Sequence, residues 1–272
     1  ATHLGKPRYF YRGFNNLRHS PVCREGLGIL LFMVFGGLHL LAVLPENSVF
    51  QSLLGDWGRY PTLANVFGWL AIPCGAVGLY YMYRCYRIPA RPFWDHWQTG
   101  SSFVGTSLVF GGLLLGLIGV PTLLWLAQPA DSLIVLCAAL VCVGTVLEAV
   151  GLWRHATDMN VGNNEGSASH YVQSTVFGKS YTLRNALLGV NLAISVALLS
   201  GVFNGWAVLP LAVLLALTAL AVAVIGRALF YVLVIPTTMP GAFFWKNKDF
   251  EEHAREIGLA HMPQVGVVYH NH

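Results

Sequence analysis

The chain has 272 residues, 55% of them hydrophobic and only 10% charged, with a formal net charge of +4 and a mean hydropathy of +0.58. A soluble domain carries roughly 25% charged residues, so a surface facing water on all sides is excluded. Several apolar runs reach about 20 residues, enough to cross a hydrocarbon core of roughly 30 Å. They lack the period-2 alternation of an outer-membrane strand, so the fold class is all-α, a polytopic transmembrane helix bundle of about six spans.

Residues 1–24 form a polar, basic N-terminal segment. It reads His3-Leu4-Gly5-Lys6-Pro7, continues through Arg8, Arg12 and Arg18, and ends in Cys23-Arg24-Glu25 at the edge of the apolar run from Gly26 to Leu44. A histidine and a carboxylate at the edge of a span suit a site that handles a redox proton. Charge so close to hydrocarbon is costly and is generally kept for function or for a partner.

The helical bundle occupies residues 25–235, with spans predicted at 25–45, 62–84, 101–127, 131–153, 181–203 and 206–235. The second begins after Tyr60-Pro61 and the fourth after Pro129-Ala130-Asp131. The joint Asn204-Gly205 is so short that the last two helices should be antiparallel neighbours. The longest loop, about 154–180, is rich in Asn, Gly and Ser. Residues 236–272 form a C-terminal tail. Its Lys246–Arg255 stretch is expected to be a short surface helix, and its extended end Met262–Val268 is expected to pack against a partner subunit.

Charge placement sets the topology. Lys6, Arg8, Arg12, Arg18 and Arg24 fall on the same side as Arg84, Arg87, Arg91, Arg154, Lys179, Lys246, Lys248 and Arg255. The other side receives only Arg59. The positive-inside rule puts the basic side in the cytoplasm. A basic face can equally dock an acidic partner.

Cys23, Cys74, Cys85, Cys137 and Cys142 form no C-x-x-C pair and no iron–sulfur ligand pattern; they read as small buried hydrophobes. Haem held by two histidines needs both at the same depth on facing helices. His39 is the one histidine well inside a span, about 21 Å along the helix from Glu25 at 1.5 Å per residue. His155 and His170 lie at or beyond helix ends on the basic side. No haem is therefore expected, and His39 is expected to make a helix–helix hydrogen bond. Glu148 and Arg227 also sit within apolar sequence, near the basic ends of their helices, as does Arg184. Two readings stand: a Glu148–Arg pair tying helices together, or a proton path from the basic side toward a bound redox ligand.

The opening His3-Leu4-Gly5-x-Pro7, with Arg8, Phe14-Asn15, Leu17 and Arg24-Glu25, resembles the DMSO reductase membrane-anchor subunits (DmsC-like) and, more widely, the NrfD-type anchors. Tyr83-Arg84-Cys85-Tyr86-Arg87 with Pro89, Pro92-Phe93-Trp94 and Trp97 is similar to that family's loop between two spans. So are Glu148 with His155, Tyr181-Thr182-Leu183-Arg184, and Gly226-Arg227-x-x-Phe230-Tyr231. Anchors of this family usually have eight spans, two of them before the His-Leu-Gly-x-Pro segment, so the expectation is a chain that lacks the first two.

The resemblance implies a multi-pass subunit of a bacterial or archaeal cytoplasmic (inner) membrane, serving anaerobic respiration. It would bind quinone or menaquinone and hold two partners, a ferredoxin-like iron–sulfur subunit and a molybdopterin catalytic subunit with a molybdenum bis-pterin. The anchor itself would carry no metal. The family's functional histidine maps onto His3 and its functional glutamate onto Glu25. A neutral histidine can hydrogen-bond a quinol hydroxyl and accept its proton, and a glutamate can relay it. Arg8 and Arg24 would hold developing charge on the bound ring or dock the iron–sulfur subunit. Without a relay role, Glu25 is a helix N-terminal carboxylate favoured by the macrodipole. The alternatives are a purely structural anchor without a quinone site, and a small-molecule transporter. The second is weakened by the lack of a broken-helix pair.

Overall fold

The computed structural model describes residues 7–44, 51–52, 60–162, 165–234, 252 and 255–256. Among them are seven α-helices and no strand: α1 (Pro21–Val43), α2 (Pro61–Tyr86), α3 (Gln98–Trp125), α4 (Asp131–Val161), α5 (Glu165–Thr175), α6 (Gly178–Leu199) and α7 (Val208–Val232). Six segments, all except α5, are long and apolar enough to cross a membrane. The chain is a multi-pass helical membrane protein.

The helix starts follow local chemistry. Ser20 caps α1, its hydroxyl accepting the Cys23 amide at 3.4 Å, and Pro21 follows in the first turn, where a missing N–H costs nothing. Pro61 opens α2 in the same way. Asp131 opens α4, its charge favoured at the positive end of the helix dipole.

Two packed units result, residues 1–87 and residues 88–272. In the first, α1 and α2 touch backbone to backbone. A Cβ on Gly28 would lie 2.6 Å from the Gly78 nitrogen, so only glycine permits the approach. Small residues have this role between membrane helices, where no hydrophobic force separates protein from lipid. Farther along the pair, His39 Nδ1–H donates to the Ala64 carbonyl at 2.7 Å. This is the helix–helix hydrogen bond expected of His39.

The second unit is built on the α3–α4 pair, with α6 packed on α4 and α7 packed on α6 and α3. Gly105 and Gly144 face each other, and a Cβ on either would lie 2.6 Å from the other's carbonyl oxygen. The turn between α6 and α7 uses Gly201 at φ 71° and Gly205 at φ 54°, and the two helices pack together as their short joint requires.

Buried residues in this unit segregate by polarity along the helices. The half toward the α3–α4 and α6–α7 turns is apolar, with Val109, Leu113, Val120, Ile134, Val141, Leu198 and Leu215 as its core. The half toward residues 88–97 buries Gln98, Thr99, Glu148, His155, Gln173 and Arg184.

The predicted loop 154–180 is mostly helical. α4 runs two turns beyond its apolar stretch to Val161, and α5 follows. Asp158 supplies the reason, since it pairs with Arg154 one turn back at 3.2 Å and with His96 at 3.1 Å. The loss of hydropathy at residue 153 marks the edge of the apolar stretch, whereas these polar contacts carry the helix farther.

Candidate functional site

Of the four predicted site residues, His3 lies outside the described residues. Arg8 falls in a 3-10 turn, Pro7–Phe14, with its side chain likewise outside what is described. Arg24 is committed to protein partners. Its Nε and Nη2 donate to the carbonyls of Leu17 and Arg18 at 2.6 and 2.5 Å, and its Nη1 to the Tyr81 hydroxyl at 3.2 Å. The guanidinium also lies over the Tyr81 ring, 5.2 Å from its centroid. Arg24 thus pins the segment before α1 onto α2. Glu25, one residue on, is half-buried, and its Oε2 accepts the Cys85 thiol at 3.3 Å. Its Oε1 has no hydrogen-bond partner among the described residues.

A second constellation lies inside the other unit. A cavity of about 40 Å³ is lined by residues of α3 to α7, including Glu148, His155, Gln98, Gln173, Arg184 and Arg227. Glu148 is 9% exposed, while His155, Gln173 and Arg184 are each 4% exposed. Polar groups buried this deeply need partners, and most have neutral ones. Arg184 donates twice to Asn185 Oδ1, at 3.1 and 2.9 Å, and lies over the Tyr181 ring. Arg227 stacks over Phe103 with its guanidinium carbon 4.4 Å from the ring centroid. His155 Nε2–H donates to the Phe93 carbonyl at 3.0 Å, and its ring meets the Phe93 ring edge to face.

The expected ion pair is therefore not formed. Both arginines line the cavity with Glu148, yet among the described residues neither comes within 4.0 Å of its carboxylate. Asn185 and the two aromatic rings hold the guanidinium groups instead.

The loop 88–97 lies at one end of the cavity and lines it through Phe93. Trp94 stacks on Phe230 at 5.1 Å between centroids, and its indole N–H donates to the Phe230 carbonyl at 2.8 Å. Thr99 returns a hydroxyl to the Trp94 carbonyl at 2.9 Å. The Gln98 amide N–H donates to His96 Nδ1, whose Nε2–H reaches Asp158.

Sequence reasoning offered a Glu148–Arg pair but did not bring Glu148, His155, Arg184 and Arg227 into one cavity, and it passed over Gln98, Thr99 and Gln173. A signal was present on α3, where Gln98, Ser102, Gly105 and Thr106 recur at helical spacing and define one face. A third feature is a groove of about 330 Å³ between α4 and α6, lined by Thr145, Trp153, Tyr181 and Asn185 among others.

Fold and site together define a polytopic helical membrane subunit with a buried polar chamber. No cluster able to hold a metal ion is found among the described residues. The family description "DMSO reductase anchor subunit (DmsC)" matches residues 1–233, and the chain belongs to that family. Its members are the membrane anchors of DMSO reductase, a complex with catalytic and iron–sulfur subunits. Comparison with curated proteins and with solved structures gives no match.

Proposed function

We propose that this anchor exchanges electrons and protons with a membrane quinone or quinol at the head of α1, on behalf of a docked iron–sulfur subunit and molybdopterin subunit. The observation that carries the reading is the setting of Glu25. Its carboxylate is half-buried at the start of a span, with one oxygen accepting a thiol and the other without a hydrogen-bond partner among the described residues. A half-buried carboxylate at the start of a span fits a quinol hydroxyl as a hydrogen-bond acceptor and proton relay. His3 is the partner that takes the hydroxyl proton first. Arg24 acts through the chain: by tying Leu17 and Arg18 to α2 it fixes the segment before α1 and keeps Glu25 at the edge. Arg8 supplies positive charge for the bound ring or the docked partner. When bound, the quinone would supply the two-electron, two-proton chemistry, with the electrons exchanged with the docked iron–sulfur subunit.

The test compares two activities of the assembled complex. Glu25→Gln keeps shape and removes the titratable group. Quinol-linked turnover should fall at least about tenfold, while turnover with an artificial soluble donor stays at the wild-type level. An equal fall in both makes Glu25 structural.

A second reading rests on size. Ligand pockets occupy roughly 300–1,000 Å³, and the α4–α6 groove of about 330 Å³ falls within that range. If neither activity of Glu25→Gln changes, Asn185→Leu in that groove is the next variant, and a selective loss of quinol-linked turnover would move the site there.

A further inference from the structure

We propose that the chamber around Glu148 is a water-filled proton well, open toward the loop 88–97 and closed toward the apolar core, with Glu148 as the group that takes up and returns the proton. The inference is independent of where quinol binds.

Volume decides the occupant. The cavity of about 40 Å³ is too small for an organic ring, but holds about three waters when each needs some 10–15 Å³. Its walls are polar enough to keep them. Beyond Glu148 lies a smaller pocket of about 10 Å³, shared by Glu148, Thr145 and Asn191. It has room for at most about one further water. Asn191 is 2% exposed, and its Oδ1 is buried without a hydrogen-bond partner among the described residues. An amide oxygen left unpaired in a protein interior is costly, and a water in this pocket would satisfy it. Past Asn191 the buried side chains are apolar apart from Ser195, whose hydroxyl is spent on the Leu192 carbonyl at 2.9 Å; Val109, Val222 and Ala219 line the end, and Val141 and Leu215 belong to the apolar core. The well is therefore blind.

The charges around Glu148 come from three helices. His155 stands two turns along α4, Arg184 comes from α6 and Arg227 from α7, whereas α3 contributes only Gln98 and hydroxyl side chains and α5 only Gln173. The His96 ring adjoins His155 at 5.1 Å. Both arginines are held by neutral partners short of an ion pair, so the carboxylate keeps its lone pairs for water. His155, fixed through Nε2, leaves Nδ1 as an acceptor near the entrance. A proton from bulk water passes along the hydrogen-bonded waters to a Glu148 oxygen and returns by the same route. Only O–H and N–H bonds are made and broken, and no electron moves.

Infrared difference spectra of the purified complex, recorded between two pH values in H2O and in D2O, test this directly. The wild type should show a protonated-carboxyl C=O band that shifts down in D2O. Glu148→Gln should abolish it, and Glu148→Asp should move it without abolishing it. His155→Leu should keep the band but slow its exchange by about tenfold or more. A band unchanged in Glu148→Gln, no such band in the wild type, or a band that does not exchange in D2O would overturn the proposal. If Glu148→Gln does not assemble, Glu148→Asp decides alone, because an unshifted band then assigns it to another carboxyl group.

Discussion

Two glutamates in or at the start of membrane helices, Glu25 and Glu148, have different surroundings. Glu25 is half-buried and shares one oxygen with Cys85; its neighbourhood is the edge of a span. Glu148 is deep and lines a polar cavity together with Arg184 and Arg227, neither of which pairs with it among the described residues. His39 shows the third fate of a polar residue in a span, a purely structural one. Its bond to Ala64 should contribute about 0.6 kcal/mol, the average measured for such bonds between membrane helices, and at most about 1.7 kcal/mol. His39→Leu should therefore lower the unfolding free energy in mixed micelles by about that amount, with quinol-linked activity retained. Loss of turnover at unchanged stability would make His39 functional instead.

At the scale of the helices, close approach through glycine determines where the site residues come to rest. A Cβ on Gly105 would meet the Gly144 carbonyl at 2.6 Å and the Glu148 Cβ at 3.3 Å, so the seam that joins α3 to α4 also positions the chamber's carboxylate. Gly105→Ala should cost about 1–3 kcal/mol, the usual penalty for overpacking, and should perturb the Glu148 infrared band. Gly111→Ala, on the same helix with open space around it, should be neutral or stabilising by up to about 1 kcal/mol. Thermal unfolding of the two variants side by side checks this, and equal effects would show that the seam is not the determinant. The sequence showed that these helices exist and are rich in small residues. It did not show which glycines face which, because that depends on the rotation of each helix about its own axis.

Over the whole molecule, a basic face is the expectation from the charges in the N-terminal segment, the loops and the tail. The tail beyond residue 236 lies outside the described residues apart from isolated positions, and its expected packing against a partner remains a proposal. Deleting residues 258–272 should reduce co-purification of the iron–sulfur subunit in detergent; unchanged co-purification would count against it. Aromatic side chains support the span limits. Trp125 and Trp206 are exposed at one end of the second unit, and Trp97 and Trp153 at the other, as expected of rings at two membrane–water boundaries.

The sequence alone determined the class of molecule. Six apolar runs can do little in a membrane except form helices, because every backbone polar group must be paired within the span. Prolines and small residues at the joints then limited most helices to within a few residues, and the pattern from His3 to Tyr231 carried the family. The end of α4 and the existence of α5 were not legible, because polar contacts made across the fold, such as His96 to Asp158, carry helix beyond the apolar run. The chamber was the work of tertiary structure. Glu148 and His155 share a helix face by spacing, but Arg184, Arg227, Gln98 and Gln173 come from four other helices. Their partners, Asn185 and the rings of Tyr181 and Phe103, determine that Glu148 faces a cavity and not an ion pair. Local chemistry can show that a charge is costly to bury, but only packing shows which groups share that cost.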